Sequence, residues 1–361
     1  MSFPYIQVEG GPYERGLQYG SKARDRVHRS VDIYLSAFAA KGLDWPKVKE
    51  LAGRFAKSIE DYEPAFLEEI RGIAKGAELE LEHIVALNAR TELLHWQDEG
   101  CTGAVCLPEV TVSGHTLLGQ NWDWRPACRD SAVVLHIKPD QRPEMITFVE
   151  AGLLARAGLN SAGIGVTGNF LQSDQDFGRT GIPIPLIRRR ILSSSSFSEA
   201  VGWVVRTARA FSSNHLLAHA EGEAIDCETA PEDVFFLQPE EGILAHSNHF
   251  RSPAAGVRLR DTGIGRYPDT LYRDRRLRAA LAAKSPAITP DDFQAGLRDH
   301  FSAPDSVCRH AAERSDGTLI ATVASLVMDL NEGRLWVAPG PVCENRYEEY
   351  RLEKGSLAHA V

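Results

Sequence analysis

The patterning of the chain changes character near residue 100, and that change constrains the fold more than any other feature of the 361 residues. Before it, apolar residues recur at helical spacing. Across Pro12–Ala40 they fall at Leu17, Val27, Val31, Tyr34, Leu35 and Phe38, largely the period of an amphipathic helix. Pro46–Ile59 and Pro64–Ala77 each open with proline near a first turn, where its missing N–H costs nothing. Ile84–Trp96 predicts a fourth helix, and strands are scarce in this part. Beyond residue 100 the chain breaks into short runs bounded by Pro, Gly or charged turns: Cys101–Leu107, His115–Trp122, Ala132–Ile137, Met145–Ala151 and the glycine-rich Leu159–Leu171. These read as strands.

Helices return near Pro185–Leu192, Ser198–Ala208, Thr270–Ala283 and Pro290–His300. Further strands fall at His215–Ala220, Ala224–Glu228, Val234–Leu237 and Gly242–Ala245. Thr318–Asp329 and Arg334–Val337 predict a closing hairpin around Asn331-Glu332-Gly333. No Pro/Gly/Ser-rich segment separates two folded units and no repeat is present. The expected architecture is α+β, with sheets covered by helices.

Charge narrows the functional classes. With 49 acidic and 40 basic side chains the net charge is −9, whereas a nucleic-acid binder shows a basic stripe. Apolar runs such as Ala151–Ala157 and Ile320–Leu330 fall far short of a membrane span. The start of the chain lacks the pattern of a secretory signal, so a cytoplasmic protein is expected. Six cysteines at 101, 106, 128, 227, 308 and 343 include no Cys-x-x-Cys pair. Disulfides are not expected in that setting.

One cysteine stands in a position to react. Asp98-Glu99-Gly100-Cys101-Thr102-Gly103 lies at the helix-to-strand changeover. Glycine before cysteine leaves the carbonyl next to the sulfur unhindered. Attack by the thiol on that carbonyl, followed by hydrolysis, would release a chain beginning at Cys101 with a free α-amine. Such an amine titrates near ~8 and is a base for its own thiol. Gly119-Gln120-Asn121-Trp122-Asp123-Trp124 supplies two amides, a carboxylate and two aromatics at a strand end, materials for a polar pocket with apolar walls.

Taken together, these segments resemble the isopenicillin N acyltransferase family of self-cleaving N-terminal-nucleophile hydrolases, which also includes β-alanyl-dopamine hydrolase. The resemblance extends to Glu150-Ala151-Gly152, to Gly158-Leu159-Asn160-Ser161-Ala162-Gly163, to Ser247-Asn248-His249, and to Pro12, Glu14, Arg15, Gly16, Gln18 and Gly20. It covers residues from about 10 to about 350. The resemblance implies a four-layer αββα sandwich made as a precursor that cuts itself between Gly100 and Cys101. Residues 1–100 would become one chain and 101–361 the other, associated as one domain. It implies Cys101 as nucleophile, Asp123 as the carboxylate near its α-amine, and Asn248 as side-chain donor to the oxyanion. Arg309 would bind a substrate carboxylate, with Asn169 and Trp122 as further substrate contacts. The expected substrate is a small N-acyl amide or an acyl-CoA thioester, with no cofactor and no metal. Spacing between Cys101 and Asp123 differs from the penicillin enzyme around residues 103–114, so penicillin chemistry itself is not implied. Homo-oligomerisation stays open.

Competing constellations point less far. His215 and His219 lie four apart, but on a strand that separates their rings by roughly 13 Å, too far for one metal. His246, His249, His300 and His310 could gather in space, which the sequence alone does not show. Gly163-Ile164-Gly165-Val166-Thr167-Gly168 has the glycines of a dinucleotide loop but is followed by strand-like residues rather than a helix. Arg188-Arg189-Arg190 and Arg273-Asp274-Arg275-Arg276 read as solvated helix faces paired with acids. Two alternatives to the self-cleaving enzyme stand beside it: a silent, unprocessed relative that binds a small acylated ligand, and a papain-like protease with a histidine beside Cys101.

Overall fold

The computed structural model describes residues 2–94, 100–176, 180–313 and 319–353. The chain opens with β1 (Tyr5–Gly10), α1 (Pro12–Lys22), α2 (Arg24–Ala40), α3 (Trp45–Tyr62), α4 (Pro64–Ala77), α5 (Leu81–Asn88) and α6 (Arg90–Leu94). There follow β2 (Gly100–Cys106), β3 (Leu117–Trp124), β4 (Ala132–Pro139), β5 (Met145–Glu150), β6 (Ala157–Asn160), β7 (Ile164–Thr167), α7 (Ile184–Leu192) and α8 (Phe197–Arg206). Next come β8 (Ser213–His219), β9 (Glu223–Thr229), β10 (Val234–Leu237), β11 (Ile243–His246), α9 (Ala255–Arg258), α10 (Thr270–Ala282) and α11 (Pro290–Gly296). The last elements are β12 (Ala312–Glu313), β13 (Leu319–Asp329), β14 (Arg334–Pro339) and β15 (Glu348–Arg351).

The strands form two sheets. Eight run in the order β1-β4-β5-β6-β7-β8-β9-β10, and seven in the order β11-β2-β3-β13-β14-β15 with β12 beside β13. The sheets face each other, with β3 against β7 and β2 against β8. Helices α2, α7 and α8 pack on the first sheet, and α10 and α11 on the second. This is the expected αββα layering. Both faces of the inner strands are therefore covered, which is why β2, β3 and β5 are buried at every position.

Two features of the first hundred residues depart from their periodicity. Tyr5–Gly10 is a strand, parallel to β4, so the segment before Cys101 is part of the first sheet. The long helix expected over Pro12–Ala40 breaks at Ala23 into α1 and α2. Its first half crosses α4 through two glycine pairs, Gly16/Gly20 and Gly72/Gly76. A Cβ at Gly16 would stand 2.1 Å from Glu69 O, and one at Gly20 2.2 Å from Ile73 O. Close backbone approach at this crossing requires glycine. Replacing Gly20 by alanine is expected to cost ~1–3 kcal/mol of stability, read as a lower urea midpoint at unchanged slope. A midpoint equal to wild type would contradict the packing.

The same crossing explains one arginine of the 188–190 run. Arg189 is fully buried and grips both oxygens of Glu69 at 3.0 and 2.9 Å, while Arg15 Nε holds Oε2 at 2.7 Å. The expected solvated face is wrong for Arg189, whose charge is met by a buried carboxylate rather than by water, whereas Arg190 keeps the expected pairing with an acid, Glu63.

Two apolar layers result. The larger lies between the sheets and under α1–α8 and includes Cys101, Val105, Trp122 and Phe148. The smaller packs Leu277, Leu281 and Phe293 against Ala104, Cys106, Leu117 and Val327. Successive residues of β2 thus point to different layers, and Cys101 sends its side chain between the sheets.

Candidate active site

Cys101 is the second residue of β2, opposite Trp122 of β3, and is fully buried. Its Sγ meets the Gln120 amide nitrogen at 3.9 Å and the Arg156 guanidinium at 3.7 Å. Gln120 is fixed from its other end, because Oε1 accepts the Gly168 N–H at 2.9 Å. Arg156 stacks over Trp122, its Cζ 4.0 Å from the ring centroid, and Trp122 meets Phe148 of the facing sheet edge-on at 5.9 Å.

The backbone of Cys101 is held as firmly as its side chain. Its N–H donates to Asn248 Oδ1 at 2.9 Å, and its carbonyl accepts from Arg273 Nη1 at 2.8 Å. Arg273 also reaches Thr102 Oγ1 at 2.6 Å and Asn248 Oδ1 at 2.8 Å, with its Nε on Asp269 at 2.7 Å. Asn248 donates from Nδ2 to Phe170 O at 2.9 Å and takes Thr270 Oγ1 on its backbone N–H at 2.7 Å. The start of α10 and the end of β11 therefore converge on one residue.

Asp123 stands opposite Gly100, one residue before the thiol. A Cβ at Gly100 would come within 3.1 Å of Asp123 Cβ and 3.3 Å of its Oδ2, so the carboxylate lies close along this residue. Its Oδ1 accepts from Thr322 Oγ1 at 2.7 Å, and its Oδ2 pairs with Arg309 Nε at 3.1 Å. Arg309 also pairs with Asp269 and with Asp305, the latter at 3.1 Å. Burial opposes the charge on Arg309, but Asp123, Asp269 and Asp305 outweigh it and raise its pKa. This buried network lies on the α10 side of β2, across the backbone from the thiol.

The expected residues thus separate by position. Asn248 and Trp122 both lie directly against Cys101. Asp123 meets Gly100 and Arg309, whereas the Cys101 nitrogen lies on Asn248. Arg309, expected on a substrate carboxylate, has its guanidinium among three carboxylates of the chain. Asn169 lies behind the site, donating to His246 O at 3.3 Å and pairing its backbone with Asn214. Asp98 and Glu99 of the motif lie outside the described residues. Of the neighbouring imidazoles, His246 is bonded to Glu228 at 2.8 Å and His249 to Thr270 at 3.0 Å; these contacts favour no papain-like pairing with Cys101.

Arg273, Arg156, Asp269 and Thr322 were missed. Arg273 belongs to a run expected to be solvated, yet it is fully buried. The available signal was Asp269 four residues before it, a spacing that pairs charges on one helix face.

A narrow pocket is lined by Arg90, Leu153, Phe170, Ile184 and Arg188 among others, and by Arg156, whose guanidinium meets Cys101 Sγ. The glycine-rich Gly163–Gly168 forms a turn and β7 with no helix after it, which disposes of the dinucleotide loop. His300, Cys308, His310 and Cys343 bring four donor atoms within 4.8 Å of one another. No described helix is long and apolar enough to cross a membrane.

Residues 110–341 match the model of a family described as acyl-coenzyme A:6-aminopenicillanic acid acyl-transferase. The acyl-coenzyme A:6-aminopenicillanic-acid-acyltransferase 40 kDa form of Emericella nidulans is 30% identical over 340 residues, covering 90% of this chain and 89% of its own. Among solved structures, a mutant of conjugated bile acid hydrolase from Clostridium perfringens aligns with TM-score 0.48 at 15% identity, over 70% of this chain and 97% of that one. Penicillin V acylase from Agrobacterium tumefaciens aligns with TM-score 0.44 at 14% identity, over 66% and 83%.

Proposed function

The chain belongs to the acyl-coenzyme A:6-aminopenicillanic acid acyl-transferase family, and from that premise we propose a self-processing cysteine amidohydrolase or acyltransferase with Cys101 as nucleophile. Its substrate is a small N-acyl amide or an acyl thioester. The observation that carries this reading is the grip on the Cys101 backbone from both sides. Asn248 Oδ1 takes its N–H and Arg273 takes its carbonyl. When the Gly100–Cys101 bond breaks, both holds persist. The new α-amine stays on Asn248, and the nucleophile keeps its place without its covalent tether.

Maturation begins with attack of Sγ on the Gly100 carbonyl carbon. The C–N bond then breaks, the Cys101 nitrogen leaves as a neutral amine carrying the proton that the thiol gave up, and a thioester joins Gly100 to Sγ. Water opens that thioester, giving a Gly100 carboxylate and a free thiol. In turnover the neutral α-amine takes the thiol proton. The thiolate attacks the substrate acyl carbon and an acyl-enzyme forms. Water completes hydrolysis, whereas a second amine completes transfer.

Asn248 supports the oxyanion in this reading. Its NH2 carries two protons, and Phe170 O accepts from it, which leaves one for the developing charge. The pocket lined by Phe170 and Arg156 receives the acyl group. Asp123, Asp269, Arg309 and Arg273 position the backbone of the reactive residue from the opposite face. A panel of N-acyl amides and acyl-CoA thioesters should reveal turnover in the wild type. Asn248→Ala is expected to lower kcat by ~10²–10³-fold; unchanged kcat would remove it from the oxyanion role.

A further inference from the structure

We propose that His300, Cys308, His310 and Cys343 bind one structural zinc ion, which fixes the backbone on both sides of Arg309. Their four donor atoms lie within 4.8 Å of one another. His310 Nε2 is 3.2 Å from His300 Nε2 and 3.2 Å from Cys343 Sγ. Tetrahedral zinc takes imidazole nitrogen at ~2.0–2.1 Å and thiolate sulfur at ~2.3 Å, so adjacent donors sit roughly 3.3–3.8 Å apart. The two His310 spacings lie just below that range, and no two donor atoms are more than 4.8 Å apart. One imidazole atom carries at most one proton, yet His310 Nε2 faces two other lone-pair donors. A cation at their centre satisfies all of them.

The surroundings suit an ion that enters from solvent and is then held. Cys308 is buried, His310 and Cys343 are half-buried, and His300 is exposed. His310 Nδ1 lies 3.9 Å from Glu344 Oε1, a carboxylate where a ligating imidazole commonly finds its outer partner. The loop that carries three of the ligands is braced independently of them. Asn121 Nδ2 donates to Leu297 O at 2.8 Å and to Val307 O at 2.9 Å, and Cys308 N donates to Asp299 O at 2.9 Å. Cys343 comes from the turn after β14, so the ion joins this loop to the second sheet.

Binding releases two thiol protons to solvent and forms two Zn–S bonds, while two neutral imidazoles donate their lone pairs. The two thiolates balance the charge of the ion, and no oxidant or reductant is involved. The consequence for the active site follows from sequence position. Arg309 lies between two ligands, Cys308 and His310, and its guanidinium holds Asp123 and Asp269. The ion is a positioning element for the charges under Cys101 and touches no substrate.

The test is metal stoichiometry on the full chain, purified without chelator and with reductant, by inductively coupled plasma mass spectrometry. One zinc per chain is expected, and Cys343→Ser should lose it. His300→Ala removes an exposed side chain that folding does not need, and it should weaken zinc in chelator competition by at least ~10-fold, the cost of disturbing even an outer partner. Cobalt substitution of the wild type should give tetrahedral visible bands with thiolate-to-metal charge transfer. A reduced wild-type chain that neither carries zinc nor takes up added zinc would overturn the proposal. So would a Cys308–Cys343 disulfide in the protein purified without reductant, if the reduced form still takes no metal. These readouts do not depend on self-cleavage or turnover, so they fail separately from the assignment of Cys101.

Discussion

Replacing Cys101 by alanine is expected to leave a single uncleaved chain and to lower turnover by ~10⁶-fold, the scale on which a covalent catalyst loses its nucleophile. In the proposed mechanism both reactions use the same sulfur, which would attack the Gly100 carbonyl in maturation and the substrate acyl group in turnover. The methyl of alanine fills part of the same fully buried position, between Gln120, Arg156 and Trp122, so the fold should survive the change. Circular dichroism and the urea midpoint should therefore stay near those of the wild type. Retained turnover in this variant would remove Cys101 from the chemistry. Loss of both folding and activity would leave the nucleophile to be tested with Cys101→Ser, which keeps a hydroxyl in place of the thiol.

Arg309→Met should lower stability by ~3–5 kcal/mol, the cost of leaving buried charges without their partner. Asp123 is fully buried and Asp269 nearly so, and Arg309 lies against both. Arg273 cannot replace it, since its Nη1 stands 3.9 Å from Asp123 Oδ2 while its other nitrogens hold Asp269 and Asn248. Arg309→Lys should recover only part of the loss, because an ammonium lacks the planar fork that spans several carboxylates. Urea unfolding of the three proteins measures this directly. A methionine variant as stable as wild type would show that the network contributes little to the fold.

Much of the architecture was legible because its signals are local. Pro64–Ala77 and Val234–Leu237 have the bounds that periodicity predicts, since proline opens the helix and the strand is an unbroken apolar and aromatic run. Ala23 ends α1 with no proline or glycine to mark the break, so the first two helices read as one. Tyr5–Gly10 became a strand through its parallel pairing with β4, a long-range event that six residues cannot announce. At the site, Cys101, Asp123 and Asn248 were found through their motifs. Arg273 was not, because three arginines crowd one helical turn and only packing on β2 and β11 decides which is buried. The His300–Cys343 cluster was hidden for a related reason. Its ligands lie on a loop and on the turn after a strand, with none of the short spacings that mark a metal site in sequence.

The central claim is that Cys101 becomes a chain terminus by its own action. Intact mass spectrometry of freshly purified protein tests it directly. Cleavage before Cys101 divides 39.7 kDa into pieces of roughly 11 and 29 kDa, the larger beginning at the nucleophile. Both pieces, with cysteine as the first residue of the larger, are the predicted result. A single species of full length in an active preparation would contradict it.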